Sequence, residues 1–235
     1  MNRTSFTALV IHDLRLYLSS RRFASILFAE ALVHSLWLLF LSLVSPLALA
    51  DASAVLSPFP LILLIAIPSF SLMTWRDEMR SGCLGLVFSA LLSSRALALA
   101  RLAALFVSAL ILCTVPLCTV GVLSLLLPYP PLAFIPLCVA LLWVAVAISL
   151  ASSFFALLLP KGPFAAFAPL SLTILAALAV WIWPALDALF PFRHWQAFLD
   201  GVVAFDSLSL LLVTAVLVVC FEGRMVESFR RGGGL

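Results

Sequence analysis

Uninterrupted apolar stretches fix what this chain can become. They run over residues 23–44, 55–75, 97–127, 132–159, 164–186 and 208–221, separated by short polar or proline-rich breaks. A stretch of about 20 apolar residues matches the hydrocarbon thickness of a bilayer when helical. Backbone amides in lipid must be satisfied within their own segment, and no alternating ten-residue pattern suggests a barrel, so the reading is six transmembrane helices. Composition agrees. Of 235 residues, 65% are hydrophobic and 10% charged, with a mean hydropathy of +1.27. Soluble domains carry about 25% charged residues, so a soluble globular enzyme, a disordered chain and a coiled coil are excluded. The formal charge of +3 is too small to indicate nucleic acid.

The expected architecture is an all-α integral membrane protein forming a single domain over residues 1–235. Residues 1–22 form an interfacial amphipathic helix. Phe6, Val10, Leu14 and Tyr17 share one side of its wheel, and His12, Arg15, Ser19 and Arg22 the other. Asp13 is the exception, falling near the apolar arc. Pro58, Pro60 and Pro68 are expected to bend the second span, and residues 224–235 form a basic tail. Lysine and arginine set orientation. Twelve lie before span one, between spans two and three, between spans four and five, or after span six, and Arg193 alone lies opposite. Both termini are therefore expected in the cytoplasm, and the location expected is the cytoplasmic (inner) membrane.

Motifs for several chemistries are missing. There is no G-x-x-x-x-G-K-[ST], G-x-S-x-G, H-E-x-x-H or G-x-G-x-x-G. The five cysteines show no metal-ligand spacing, and four lie in apolar runs, as small packing residues do. No catalytic, cofactor or metal residues are assigned. Two ionisable groups do fall inside a span: Glu30 and His34, four residues apart on one helical face. Such groups usually face a bundle interior or a watery cavity. They read either as a polar point on a translocation path or protomer interface, or as a structural pair.

Residues 76–95 form a polar break in which charges precede Gly82 and a short apolar segment. Leu84, Val87, Phe88 and Leu91 recur at helical spacing, giving a short amphipathic helix able to dock on a partner. The stretch resembles the first cytoplasmic loop of ABC type-2 transporter permeases, whose pattern is acidic-x-x-x-G-T-L-E-x-L-L-x-x-P-x-S. Glu78, Gly82, Leu84 and Ser93 match, while Cys83, Gly85 and Leu91 replace the threonine, second glutamate and proline. A second stretch, Phe192–Val203 followed by Glu222 and Arg224, resembles the end of permeases of the gliding-motility and nitrous-oxide-reductase-maturation type. His194, Phe198, Gly201 and Val202 match, with Trp195 in place of a phenylalanine.

This resemblance implies the permease subunit of an exporter, working with a separate ATP-binding-cassette ATPase and with a second copy or a related permease. ATP would be bound by the ATPase, with no cofactor in this chain. Coupling to it would fall to Glu78, Arg80, Gly82, Leu84, Val87 and Phe88. Residues 187–207 would re-enter from the outer side, with His194, Trp195, Phe198 and Gly201 as an outer gate or anchor. Membrane lipid is the remaining partner and no nucleic acid is expected. Two alternatives stand beside this: a haem-exporter-like permease of cytochrome c maturation, and a non-transport intramembrane enzyme or structural subunit. The substrate is not legible.

Overall fold

The computed structural model describes residues 3–45, 47, 49, 51–78, 93–126, 134–158, 171 and 205–231. Among these every regular element is helical: α1 (Arg3–Leu18), α2 (Arg21–Val44), α3 (Ala52–Leu56), α4 (Phe59–Leu72), a π-helical turn at Met73–Asp77, α5 (Ser94–Leu112), α6 (Thr114–Leu126), α7 (Phe134–Leu158) and α8 (Phe205–Arg231). Among the described residues, five segments are long and apolar enough to cross a bilayer: Arg21–Val44, Ala54–Trp75, Ser94–Leu126, Leu137–Leu158 and Leu208–Arg231. This is the pattern of a multi-pass membrane protein. The expected span at 164–186 lies outside the described residues.

Local chemistry explains the boundaries. Ser20 accepts from the Phe23 amide at 3.1 Å, which caps α2 and places Arg21 and Arg22 in its first turn rather than at the end of the interfacial helix. Pro58 and Pro60 do not bend the second span as expected. They sit at the N-cap and first turn of α4, where a missing amide costs nothing, and only Pro68 lies inside the helix. The third span is two helices. Pro116 cannot donate, and its ring crowds the carbonyl four residues back, which belongs to Leu112, the last residue of α5. The sixth apolar run is extended at both ends into one helix, so Arg224–Arg231 continues α8 and does not form a separate tail.

Helix α5 is the central post, packed by α1, α4, α7 and α8. Its buried positions include Ala96, Ala98, Ala100, Ala104 and Ala109, small residues that let helices approach closely where lipid supplies no hydrophobic drive. The main core gathers Phe59, Leu63, Ile67 and Phe70 of α4 against Leu105 and Leu112 of α5 and Leu141 of α7. A smaller core at one end joins Leu72, Trp75, Leu97, Leu157 and Val226. By contrast Phe28, Leu36 and Leu43 on α2 are exposed, Phe28 at 71%, as expected of a surface meeting lipid or another chain.

The ring of Phe70 packs between Phe23 and Tyr17, with centroids 5.6 and 5.7 Å away. Phe70→Ala should therefore cost about 3–5 kcal/mol through the cavity it leaves, and Phe28→Ala close to nothing. Thermal unfolding in detergent would show a large drop for the first only. Equal drops would mean that Phe70 is not a core residue.

Candidate functional site: a buried charge hub

At the end of the bundle that holds the smaller core, four elements bring ionisable side chains together around Arg101. It lies in α5, two turns from the helix start, with 0% of its surface exposed. Its Nη1 donates to the Thr74 carbonyl at 3.1 Å, and its Nη2 donates to Glu78 Oε2 in a buried ion pair. The guanidinium lies over the indole of Trp75, 4.0 Å from the ring centroid. The π-helical turn at Met73–Asp77 supplies Thr74 and Trp75 and leads into Glu78. Inserting such a turn re-aims side chains relative to an uninterrupted α-helix.

Asp13 of α1 is also fully buried and lies within electrostatic reach of Arg101. His12 Nδ1 sits 3.1 Å from its Oδ1 and donates to it when protonated there. This accounts for the one acidic residue on the apolar arc of α1, which turns inward to a cation. Glu222 of α8 is buried beside Ser153 and within reach of the same arginine. Tyr17 donates to Thr74 Oγ1 at 3.1 Å, Thr74 donates to the Ser71 carbonyl at 3.0 Å, and Ser71 donates to the Ser152 carbonyl at 3.2 Å. The network thus ties α1, α4, α5 and α7 together.

Burial raises the Asp13 carboxyl above its ordinary value, with Arg101 and then His12 opposing. Burial likewise raises Glu78; Arg101 pulls it down and the Asp13 charge pushes it up. Burial also pushes the Tyr17 phenol up, reinforced by the Asp13 charge, so it acts as a neutral donor. His12, Asp13 and Glu78 bring potential metal-ligating atoms within 4.8 Å of one another. Of the two carboxylates, Glu78 is already paired with the Arg101 guanidinium and Asp13 with His12.

The sequence-expected residues fall in three groups. Glu78 is brought into the hub. Glu30 and His34 sit elsewhere, buried in α2, with neither carboxylate oxygen nor ring nitrogen hydrogen-bonded among the described residues. They do not form the mutual bond expected of a structural pair. Cys113, at the break between α5 and α6, lies within electrostatic reach of Glu30. His34 lines a cleft of about 330 Å³ with Ser35, Thr114, Cys118 and Thr119. The rest — Arg80, Gly82, Leu84, Val87, Phe88, His194, Trp195, Phe198 and Gly201 — lie outside the described residues.

Sequence reasoning counted Arg101 only as an orientation charge and missed Tyr17, Thr74 and Glu222 as its surroundings. The usable signal was Asp13 on an apolar arc, which required a buried cation somewhere. Comparison with protein-family models, with curated proteins and with solved structures returned no match.

Removing one member of a buried ion pair strands the other, which costs about 3–5 kcal/mol. Arg101→Met should show this loss at neutral pH. Carboxyls whose folded pKa is raised bind more protons folded than unfolded, so the stability they confer is present at low pH and lost as pH rises through the raised value. Without Arg101 to oppose burial, Asp13 and Glu78 rise further. The variant should therefore regain much of its stability toward pH 5, with a steeper pH dependence than the wild type. Melting curves across pH would test this, and a pH-independent deficit would count against carboxylate stranding.

Proposed function

We propose that this chain is the membrane-spanning permease subunit of an ATP-binding-cassette exporter of the type-2 class, working with a separate ATPase subunit and a second permease copy or relative. The observation that carries this reading is the pairing of Glu78 with Arg101. Glu78 stands near the start of the 76–95 segment that resembles a coupling loop, and its partner lies in the central helix of the bundle. A helix pushed by an ATPase at residues 84–91 would pull on Glu78. Glu78 would move against Arg101, which also lies within electrostatic reach of Asp13 in α1 and Glu222 in α8. A loose linker would dissipate that displacement, whereas a buried ion pair transmits it because separating its partners is costly.

The second support is the unsatisfied pair in α2. Buried ionisable groups in a span are expensive and mark polar pathways. His34 faces a cleft bordered by hydroxyls from α6, an arrangement suited to a polar point on a translocation path. On this reading both termini are cytoplasmic, the membrane is the inner one, residues 187–207 re-enter from the outer side, and the chain itself has no enzymatic activity. The exported substrate is not specified by these features.

Purification in mild detergent should bring down an ATPase that carries the P-loop this sequence lacks, and the isolated chain should hydrolyse no ATP. Phe88→Asp should release that ATPase, because burying an unpaired charge at a contact costs several kcal/mol. Ser93→Asp should not, since Ser93 caps α5 by accepting from the Ala96 amide and aspartate caps equally well. A stable, active complex with no nucleotide-binding partner would defeat the transport reading. Equal release by both substitutions would remove the coupling-helix assignment.

The charge distribution gives a separate test. A reporter fused after Leu235 should be active only in its cytoplasmic form, and an extracytoplasmic signal would overturn the orientation.

A further inference from the structure

Just outside the hub, the start of α5 and the last turns of α8 enclose an open groove of about 770 Å³. Three arginines line it among the described residues: Arg95, Arg224 and Arg231, all exposed. Its one carboxylate, Glu227, is already engaged. Ser94 Oγ donates to Oε2 at 2.6 Å, and Arg231 Nε donates to Oε1 at 3.1 Å. Formal charge in the groove is therefore +2, and the Arg95 and Arg224 guanidiniums are not committed to any carboxylate there. Ser93 and Ser228 add hydroxyls to the wall.

The groove is built by close approach. A methyl group added at Gly223 would lie 2.8 Å from Cγ of Arg95, so glycine is what allows the Arg95 side chain to lie against α8. What leads into it is apolar. Val213, Leu217 and Phe221 are exposed on α8, and together with Arg224, Ser228 and Arg231 they recur at three- and four-residue steps, hence on one helical face. An exposed hydrocarbon stripe thus runs up the helix and ends in a basic groove, the profile of an acyl chain joined to a phosphate.

We propose that this groove is a binding site for the headgroup of an anionic phospholipid, its acyl chain lying along the Val213–Leu217–Phe221 stripe. Basic pockets between membrane helices select anionic headgroups in this way. Arginine's planar fork suits phosphate oxygens. An acidic protein segment would satisfy the arginines but leave the apolar stripe unexplained. The proposal is independent of the transport reading, since it needs only that α5 and α8 cross a bilayer.

The test uses the full chain, purified and reconstituted in nanodiscs of equimolar phosphatidylcholine and phosphatidylglycerol, with retained lipid counted by native mass spectrometry. Phosphatidylglycerol should be retained in preference to phosphatidylcholine. At about fivefold per arginine, Arg95→Gln with Arg224→Gln should weaken retention about thirtyfold. Arg21→Gln with Arg22→Gln, which removes the same charge elsewhere, should change it little. Glu227→Gln keeps an acceptor for Ser94 while raising the groove's charge, so it should strengthen retention about fivefold even if the double variant folds poorly. Equal loss in both double variants would overturn the site in favour of diffuse attraction. Displacement of the lipid by inorganic phosphate alone would reassign it to free phosphate. Capture of a protein through Arg95 and Arg224 without phosphatidylglycerol retention would reassign it to a protein contact.

Discussion

Everything at one end of this bundle depends on a single buried guanidinium. An arginine with no exposed surface is tolerable only where its charge and donors are met. Arg101 is met by the Glu78 carboxylate, the Thr74 carbonyl and the face of Trp75, with Asp13 and Glu222 within reach. These groups come from α1, from the turn after α4 and from α8, so satisfying one side chain in α5 fixes where three other elements must stand. Helix α1 illustrates the consequence. Its amphipathic surface would let it float anywhere on a membrane, but it packs on the central helix, with Asp13 buried within reach of Arg101 and Tyr17 bonded to Thr74 in the turn after α4.

The two polar sites of the bundle differ in how their charges are met. In the hub Glu78 is paired with Arg101 and Asp13 with His12, while Asp13 Oδ2, Arg101 Nε and both Glu222 oxygens have no hydrogen-bond partner among the described residues. In α2, Glu30 and His34 are buried with none of their polar atoms hydrogen-bonded among the described residues. A paired buried charge resists displacement because separation leaves its partner uncompensated. An unsatisfied pair favours any arrangement that brings in a polar partner or water.

The fold was largely legible from the apolar runs. The lengths of 23–44 and 97–127 mark helices ending within a few residues of α2 and α6, because span length is set by bilayer thickness and by little else. Prolines were less legible, since their effect depends on position within a helix. Pro58 and Pro60 read as bends but act as a start, while Pro116, buried within an apolar run, splits the third span. Among the candidate site residues, Glu78 was singled out through loop spacing as a coupling residue, but its pairing with Arg101 was not foreseen, and Glu30 and His34 were singled out through their depth and are buried. Arg101 was not singled out, because counting arginines for orientation treats each as lying in water. Its burial arises only when Asp13, some ninety positions earlier, and Glu222, more than a hundred later, fold onto the same face of α5, and no local pattern carries that information. The residues expected to couple, from Arg80 to Phe88, and the His194–Gly201 stretch lie outside the described residues.

The hub and the groove are two layers of one electrostatic arrangement. Arg95 and Arg101 are six residues apart on α5, about 9 Å along its axis. Inside, one arginine faces Asp13, Glu78 and Glu222, so carboxyls outnumber cations. Outside, Arg95, Arg224 and Arg231 outnumber Glu227. Each layer answers its own charges. Inside, Glu78 is bonded to Arg101; outside, Glu227 is bonded to Ser94 and Arg231, which leaves Arg95 and Arg224 exposed without a carboxylate in the groove. Charges in water or among headgroups are screened within about 10 Å, so an anion taken up by the outer arginines acts little on the buried pair, and the two layers can do different work at the same end of the bundle.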